Sequence, residues 1–398
     1  MAFNSVERKA LTGLAMLYAS RMLGLFMVLP VLSLYGMDLE KASPQTLGLA
    51  LGVYGITQAL LQIPFGAASD RFGRKPLIVL GLVIFLVGSV VAALSTHVMG
   101  LVFGRALQGA GAISSVVLAL LADYTRESER SKAMAIVGAV IGSSFVVAVM
   151  LGPWIAGIGG LSGLFWFTAG LALLGMLVLL WLPPVPGLQI HQERKFHASQ
   201  IGQVLRDGNV LILSLGVFLL HMTMTALFVA LPIVLVERGF AADDLGQVYA
   251  PVMIIAFLGM APMMMLSERN NAQVKFLRLA AVLISVALVA LVGVKAGAAS
   301  ALALLVFFVG FNFIEATLPS LLSRKAEAQS RGTAMGVFAT AQFIGAASGG
   351  MVGGLLFANQ QLLPIVAVGF GAQIVWIVLL GLVKPVKSTQ TTPTQSVG

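Results

Sequence analysis

The chain contains no cysteine. That absence excludes disulfides, thiolate metal sites and thiol redox pairs, and it leaves the compartment to be read from something other than thiols. Charge is scarce too. Only 10% of the 398 residues are Asp, Glu, Lys or Arg, less than half the share of an ordinary soluble domain, while 59% are apolar. Also missing are the Gly-x-x-x-x-Gly-Lys-Ser/Thr loop that cradles nucleotide phosphates, the His-Glu-x-x-His metal helix and the Gly-x-Ser-x-Gly nucleophile turn. An ATP-driven pump and an intramembrane hydrolase are thereby disfavoured, no cofactor and no metal are expected, and the chain is read as not an enzyme.

What the chain does have is apolar length. Stretches of about 20 residues recur throughout, each enough to cross a roughly 30 Å hydrocarbon core as a helix rising about 1.5 Å per residue. The sequence predicts an all-α membrane protein of twelve transmembrane helices, near residues 10–36, 45–69, 76–95, 98–122, 132–157, 161–182, 209–236, 243–267, 274–296, 299–322, 332–357 and 362–383. The first stretch is too long for a signal-peptide core and no small-residue cleavage site follows it, so it is expected to remain as helix one. A net charge of +9 would suit nucleic acid, but the basic residues are segregated. Counting loops from an N-terminus inside the cell, nineteen Lys and Arg fall on one side, and only Lys41, Arg238 and Lys295 fall on the other. A bias this large in short loops predicts both termini in the cytoplasm and removes the case for a nucleic-acid partner.

Pro183 to Gly208 is a polar stretch with three prolines, two histidines and mixed charge, and it reads as a cytoplasmic linker. The expected organisation is a six-helix bundle over residues 1–182, the linker over 183–208, a second six-helix bundle over 209–383 and a disordered cytoplasmic tail over 384–398. The bundles read as copies. Leu25-Phe26-Met27-Val28-Leu29-Pro30 matches Leu227-Phe228-Val229-Ala230-Leu231-Pro232 at an offset of 202. Pro64 with Ser69-Asp70-Arg71 matches Pro262 with Ser267-Glu268-Arg269 at 198, and Ala133-Met134 matches Ala334-Met335 at 201. Six helices per copy insert both copies with the same orientation, so a pseudo-two-fold axis along the membrane normal relates them, and such a pair can rock about a central cavity.

Gly66-Ala67-Ala68-Ser69-Asp70-Arg71-Phe72-Gly73-Arg74-Lys75-Pro76, between helices two and three, resembles the signature loop of the major facilitator superfamily. Gly104-Arg105-Ala106-Leu107-Gln108-Gly109-Ala110-Gly111 on helix four resembles that superfamily's second motif. Gly152-Pro153, with Gly138, Gly142 and Gly157 on helix five, resembles a third motif that marks its drug:proton antiporter branch. Arg21 to Pro30 and Asn312-Phe313-Ile314-Glu315-Ala316 look closest to one bacterial inner-membrane member of the superfamily. The second-half copy of the signature loop has lost its glycine and the Arg-Lys pair, and the chain ends in a short Ser/Thr-rich tail where some relatives carry a soluble domain.

The signature loop has a physical reading of its own. Helix two ends near Asp70, and a helix C-terminus disfavours a carboxylate, so Asp70 needs cationic partners; Arg71 and Arg74 are close in sequence. The resemblance adds the N-terminus of helix eleven near Gly332-Thr333, with Asp123 pairing the basic side, and implies a latch across the two halves in the outward-open state. The plain alternative is that Arg71, Arg74 and Lys75 only set topology. On helix five the glycines permit close helix approach and Pro153 removes an amide and bends the helix; the resemblance adds a block on proton leak.

Ionisable groups inside a bilayer are costly, so the few that remain point to function. There are four: Arg21, Arg105, His221 and Glu315. In the resemblance, helices one, four, seven and ten line the cavity, and one group falls on each. Glu315 is the leading proton carrier and His221 a second candidate, each with a packed, hydrogen-bonded alternative. Arg21 and Arg105 do not deprotonate, and they are read as binding an anionic solute, positioning Glu315 or joining helices. Asn312, Phe26, Phe218, Phe228 and Phe311 complete the candidate cavity, with core packing as the alternative for the aromatics. The expected function is a monomeric secondary transporter of the bacterial inner membrane. It would export a small amphipathic molecule against protons by rocker-switch alternating access; proton-coupled uptake and organic-anion export remain alternatives, with a channel or an intramembrane enzyme as the reading outside carrier transport. Its partners are the solute, protons and the lipid bilayer. A proton moving inward across 100 mV yields about 2.3 kcal/mol toward that work.

Overall fold

The computed structural model describes residues 3–184, 202–327 and 330–383. Most of the expected linker and the whole tail at 384–398 lie outside the described residues. Apolar sequence folds into α1 (Ser5–Phe26), α2 (Pro44–Phe72), α3 (Arg74–Leu94), α4 (Val98–Tyr124), α5 (127–159) and α6 (161–181). The second set is α7 (Gly208–Glu237), α8 (Leu245–Arg269), α9 (Gln273–Gly293), α10 (Gly297–Lys325), α11 (Arg331–Leu356) and α12 (Leu363–Leu379). Among the described residues, ten helices are long and apolar enough to cross a membrane. Two facts raise ten to twelve. Helix α1 falls outside that set because Glu7, Arg8, Lys9 and Arg21 dilute its hydropathy, and a single 55-residue helix is α5 and α6 joined at Gly160.

Local chemistry sets the starts and breaks. Asn4 and Glu7 close a reciprocal capping box on α1, while Ser43 with Thr46 does the same for α2, where Pro44 occupies the first turn. Three expectations are corrected. Helix one is not continuous to residue 36: it stops at Phe26, turns through Pro30, which has no amide to donate, and resumes at Leu32–Tyr35. Helix four breaks at Gly111, where the amides of Ala112 and Ile113 turn back on Ala110 and Gly111. Its glycines allow close approach: a Cβ on Gly109 or Gly111 would run into the backbone of Tyr54 on α2 or Gly81 on α3. Helices five and six are not separated by a loop, because Gly160 at φ 63° and ψ −165° turns the corner alone.

The twelve helices form two pseudo-symmetric six-helix bundles. The first and last described residues lie at the end of the molecule that carries the signature loop, the basic end; the opposite end is the far end. Two seams join the bundles, α2 against α11 and α5 against α8. The offset near 200 carries α2 onto α8 and α5 onto α11, so each seam is the counterpart of the other. Contact is concentrated at the far end. Added Cβ atoms on Gly52 and Gly55 of α2 would come to 2.7 Å from the Ala347 carbonyl and 2.6 Å from the Phe343 carbonyl of α11. One on Gly354 would meet the Pro44 carbonyl at 2.5 Å, and Gly246 of α8 lies over Met150 and Pro153. At the basic end a Cβ on Gly138, Gly142, Gly332 or Gly336 would meet nothing within 4 Å. The bundles are closed at the far end and splayed at the basic end.

Candidate functional site

Where the bundles begin to part, α7, α10 and α11 bring three polar side chains together. His221 lies one turn after Val217, and its Nδ1 is 3.1 Å from the Val217 carbonyl. A carbonyl oxygen only accepts, so Nδ1 carries the hydrogen and Nε2 of the neutral ring presents a lone pair. Gln342 of α11 supplies one amide hydrogen to that lone pair at 2.9 Å and the other to Glu315 Oε1 at 3.0 Å. Glu315 Oε2 has no donor and sits 3.7 Å from His221 Nε2. Nε2 and Oε2 are thus both acceptors, and a single added proton would join them in a hydrogen bond once the Gln342 amide releases Nε2. His221 is buried, whereas the Glu315 side chain is 27% exposed on the open side.

The two sequence candidates for proton work are therefore neighbours, a relation hidden by a separation of 94 positions in the chain. Gln342, which sequence reading missed, holds both. The available signal was its rarity as an amide in an apolar helix.

Arg21 and Arg105 belong elsewhere. Arg21 Nη2 donates to Gln58 Oε1 at 2.8 Å and to the Tyr54 hydroxyl at 3.4 Å, and its guanidinium lies 4.8 Å over the Phe85 ring. Arg105 donates to Gln108 Oε1 at 2.7 Å and to the Ala50 carbonyl at 3.4 Å, and stands 4.5 Å over the Tyr54 ring. Gln108 passes on to Ser89 at 2.8 Å. Phe85 and Ser89 are on α3, which packs only within the first bundle. Both arginines thus turn into that bundle instead of toward Glu315, because neutral amides, a hydroxyl and ring faces there receive their hydrogens. Nε and Nη1 of Arg21 remain unmatched.

The aromatic candidates divide. Phe311 is 5.8 Å from the His221 ring, and Phe26 lies edge-on to Phe145 at 5.0 Å. Phe218 is half-buried, its backbone against Gly345 of α11. Phe228 packs on Tyr249 and Phe308 with none of its surface exposed, so it is core of the second bundle and not cavity wall. Asn312 is buried one turn before Glu315, its Nδ2 unpartnered.

At the basic end, Arg74 binds Asp70 at 2.5 Å and Asp123 at 3.3 Å and donates to Ser69, tying α2, α3 and α4 together. Gly73 supplies the turn at φ 92°, and an added Cβ on Gly66 would touch Ser115 of α4 at 3.4 Å. Lys75 reaches the Leu182 and Pro183 carbonyls at the end of α6, and Arg71 stacks on Phe72. The third partner implied for Asp70 is not at hand: Asp70 is 61% exposed and the start of α11 at Gly332 faces open space. On α5, Gly152 abuts the Met27 backbone and Gly157 lies near Asp243, whereas Gly138 and Gly142 border the opening. At the far rim Tyr35 crosses between the bundles to donate to Asp243 at 2.7 Å. Among the described residues, no cluster of three or more His, Asp or Glu could hold a metal ion.

Residues 14–350 match the model of the Major Facilitator Superfamily. The chain is 44% identical over 360 residues to the inner membrane transport protein YajR of Escherichia coli K12, covering 87% of this chain and 77% of that protein. Multidrug resistance protein 2 of Bacillus subtilis is 29% identical over 373 residues, with 90% of each chain covered. Among solved structures, a D-xylose-proton symporter superposes with a TM-score of 0.74 at 17% identity, covering 96% of this chain and 98% of that one. The nucleoside transporter NupG gives 0.74 at 15%, with 94% and 99% covered. Twelve spans in two bundles, a signature loop closed by Arg74 and this family match together make the chain a multi-pass membrane transporter of the major facilitator superfamily.

Proposed function

We propose that the chain is a proton-coupled exporter of small amphipathic molecules carrying a cationic or hydrogen-bond-donating group. The observation that carries the reading is the buried, unpartnered Oε2 of Glu315, 3.7 Å from His221 Nε2, on a side chain that is itself partly exposed to the open chamber. An undonated carboxylate oxygen at that depth is costly, and either a proton or a donor on the solute would relieve it. Both cannot occupy it together. One site with two competing occupants exchanges them, which is the linkage of an antiporter. The segregated basic residues support an open end that faces the cytoplasm, where the exported solute would load, and the protein would act as a monomer in the bacterial inner membrane. The drug-resistance relatives at lower identity suit an amphipathic solute. At the basic end Asp70 would serve as a latch once the halves rock shut there.

The test is flux in proteoliposomes under an imposed pH gradient, using cationic, neutral and anionic amphipathic dyes. Glu315→Gln is expected to lose gradient-driven movement of the cationic dye while inserting normally and retaining dye binding. Unaltered coupling in that variant would move the proton site elsewhere.

A further inference from the structure

Three helices change from open to closed at one layer. On α5, Gly138 and Gly142 face empty space, Phe145 one turn on is buried, and Met150 to Pro153 press on Gly246 of α8. On α10, Glu315 is partly exposed and Phe311, one turn toward the far end, is 2% exposed. On α11, Gly332 and Gly336 face space, while the Phe343 carbonyl lies against Gly55 of α2. The ring that fills this layer is Phe145. It belongs to the first bundle yet lies among rings of the second, 5.3 Å from Phe311 and 6.1 Å from Phe308, backed by Phe26 at 5.0 Å. Phe311 in turn touches the His221 ring. Rings therefore run without a gap from His221 through Phe311 and Phe145 to Phe26, from the proton pair across the boundary between bundles.

We infer that Phe145 is a positioning residue that passes the protonation state of the His221–Glu315 pair to the far-end closure. The inference rests on the proton reading of that pair. Uptake of one proton breaks the Gln342 hydrogen bond to Nε2, leaves that amide on Glu315 Oε1, and lets Nε2 and Oε2 contract from 3.7 Å toward a charge-assisted hydrogen bond of about 2.8 Å. The imidazolium form also attracts the face of Phe311. Glu315 and Phe311 share a face of α10, so both effects move one helix, and Phe145 in contact with Phe311 hands the displacement to α5. Farther along α5 are Met150 and Pro153, which hold the far-end seam. Sub-ångström shifts of this kind become rigid-body changes because packed seams have two arrangements and few between. Among the described residues, the charged group facing His221 is Glu315 of α10; α11 offers neutral Gln342, and α5 and α1 offer Phe145 and Phe26. Arg21 and Arg105 are engaged with Gln58 and Gln108 inside the first bundle.

The absence of cysteine allows a clean test. Spin labels on Ser128→Cys and Asn270→Cys, exposed at the basic ends of α5 and α8, read how far the bundles are splayed in nanodiscs. The ratio of the two states in the otherwise unaltered protein is expected to change about tenfold between pH of about 8 and about 6, the worth of one desolvated ring–cation contact. Phe145→Leu, which keeps apolar volume and removes the ring, should change less than about twofold, and Phe145→Tyr should restore the response. Phe311→Leu should match Phe145→Leu. A full pH response in Phe145→Leu overturns the relay. A full response in Glu315→Gln, or none in the unaltered protein, overturns the proton reading beneath it.

Discussion

Replacing Gly48 by Val probes the far-end seam on which the closed state depends. A Cβ on Gly48 would lie 2.8 Å from the Gly354 Cα and 3.0 Å from its nitrogen, where ordinary contact begins at 3.4 Å. The obstructing atoms are backbone and include the still closer Gly350 carbonyl, so no side-chain rotation relieves them, and α2 must retreat from α11 by more than the 0.6 Å missing at the Gly354 Cα (3.4 less 2.8). Valine adds two methyl groups beyond that Cβ. Overpacking of this kind costs about 1–3 kcal/mol, and the cost falls only on the state in which the seam is closed. By the factor of ten per 1.4 kcal/mol, the ratio of far-closed to far-open molecules should drop roughly five- to 150-fold. Spin labels on Asp38→Cys and Asn359→Cys, both exposed at the far rim, would report the change as a longer distance population. Gly138→Val is the control: its Cβ meets nothing in the present state, so it should not populate the far-open form. A folded Gly48→Val protein with an unchanged far-rim distance would refute the idea that glycine contacts hold the seam.

Two further outcomes follow from the basic end. Asp70→Asn should insert and melt as the parent does, because a pair 61% exposed on one side contributes at most about 1 kcal/mol, while its initial flux should fall if Asp70 latches the opposite state. Normal flux would leave Asp70 with a topological role only. Glu7 at the rim accepts three hydrogen bonds from Arg126, and chiefly for that reason its carboxyl is lowered from 4.5 to about 2. A lowered value stabilises the fold in full above pH 4.5 and ceases to do so as pH falls through 2. Arg126→Gln should therefore melt lower than the parent at neutral pH, the gap closing as the pH drops toward 2, in thermal unfolding of the detergent-solubilised protein. A gap that persists in acid would refute the assignment.

Much of the architecture is written locally. The twelve spans follow from hydropathy, and the start of α2 from Ser43, Thr46 and Pro44, because each signal acts within a few residues of chain. Asp70, Arg74 and Gly73 could be read together because a helix end, a salt bridge one turn apart and a left-handed glycine are all short-range matters. The break at Pro30 was not legible in the same way, because whether a proline bends or breaks a helix depends on what satisfies the freed carbonyls around it.

Sequence alone determined the solvent of this protein, the number of its spans, its duplication and which four ionisable groups lie within the spans, since these depend on composition and spacing. Only the tertiary structure decided that Arg21 and Arg105 turn into the first bundle, that Gln342 bridges His221 and Glu315, and that Phe145 crosses between bundles. The physical reason is that a helix fixes the direction of a side chain only relative to its own axis. Which neighbour that direction meets is set by how glycine-lined faces let the helices approach, and those contacts join residues more than a hundred positions apart.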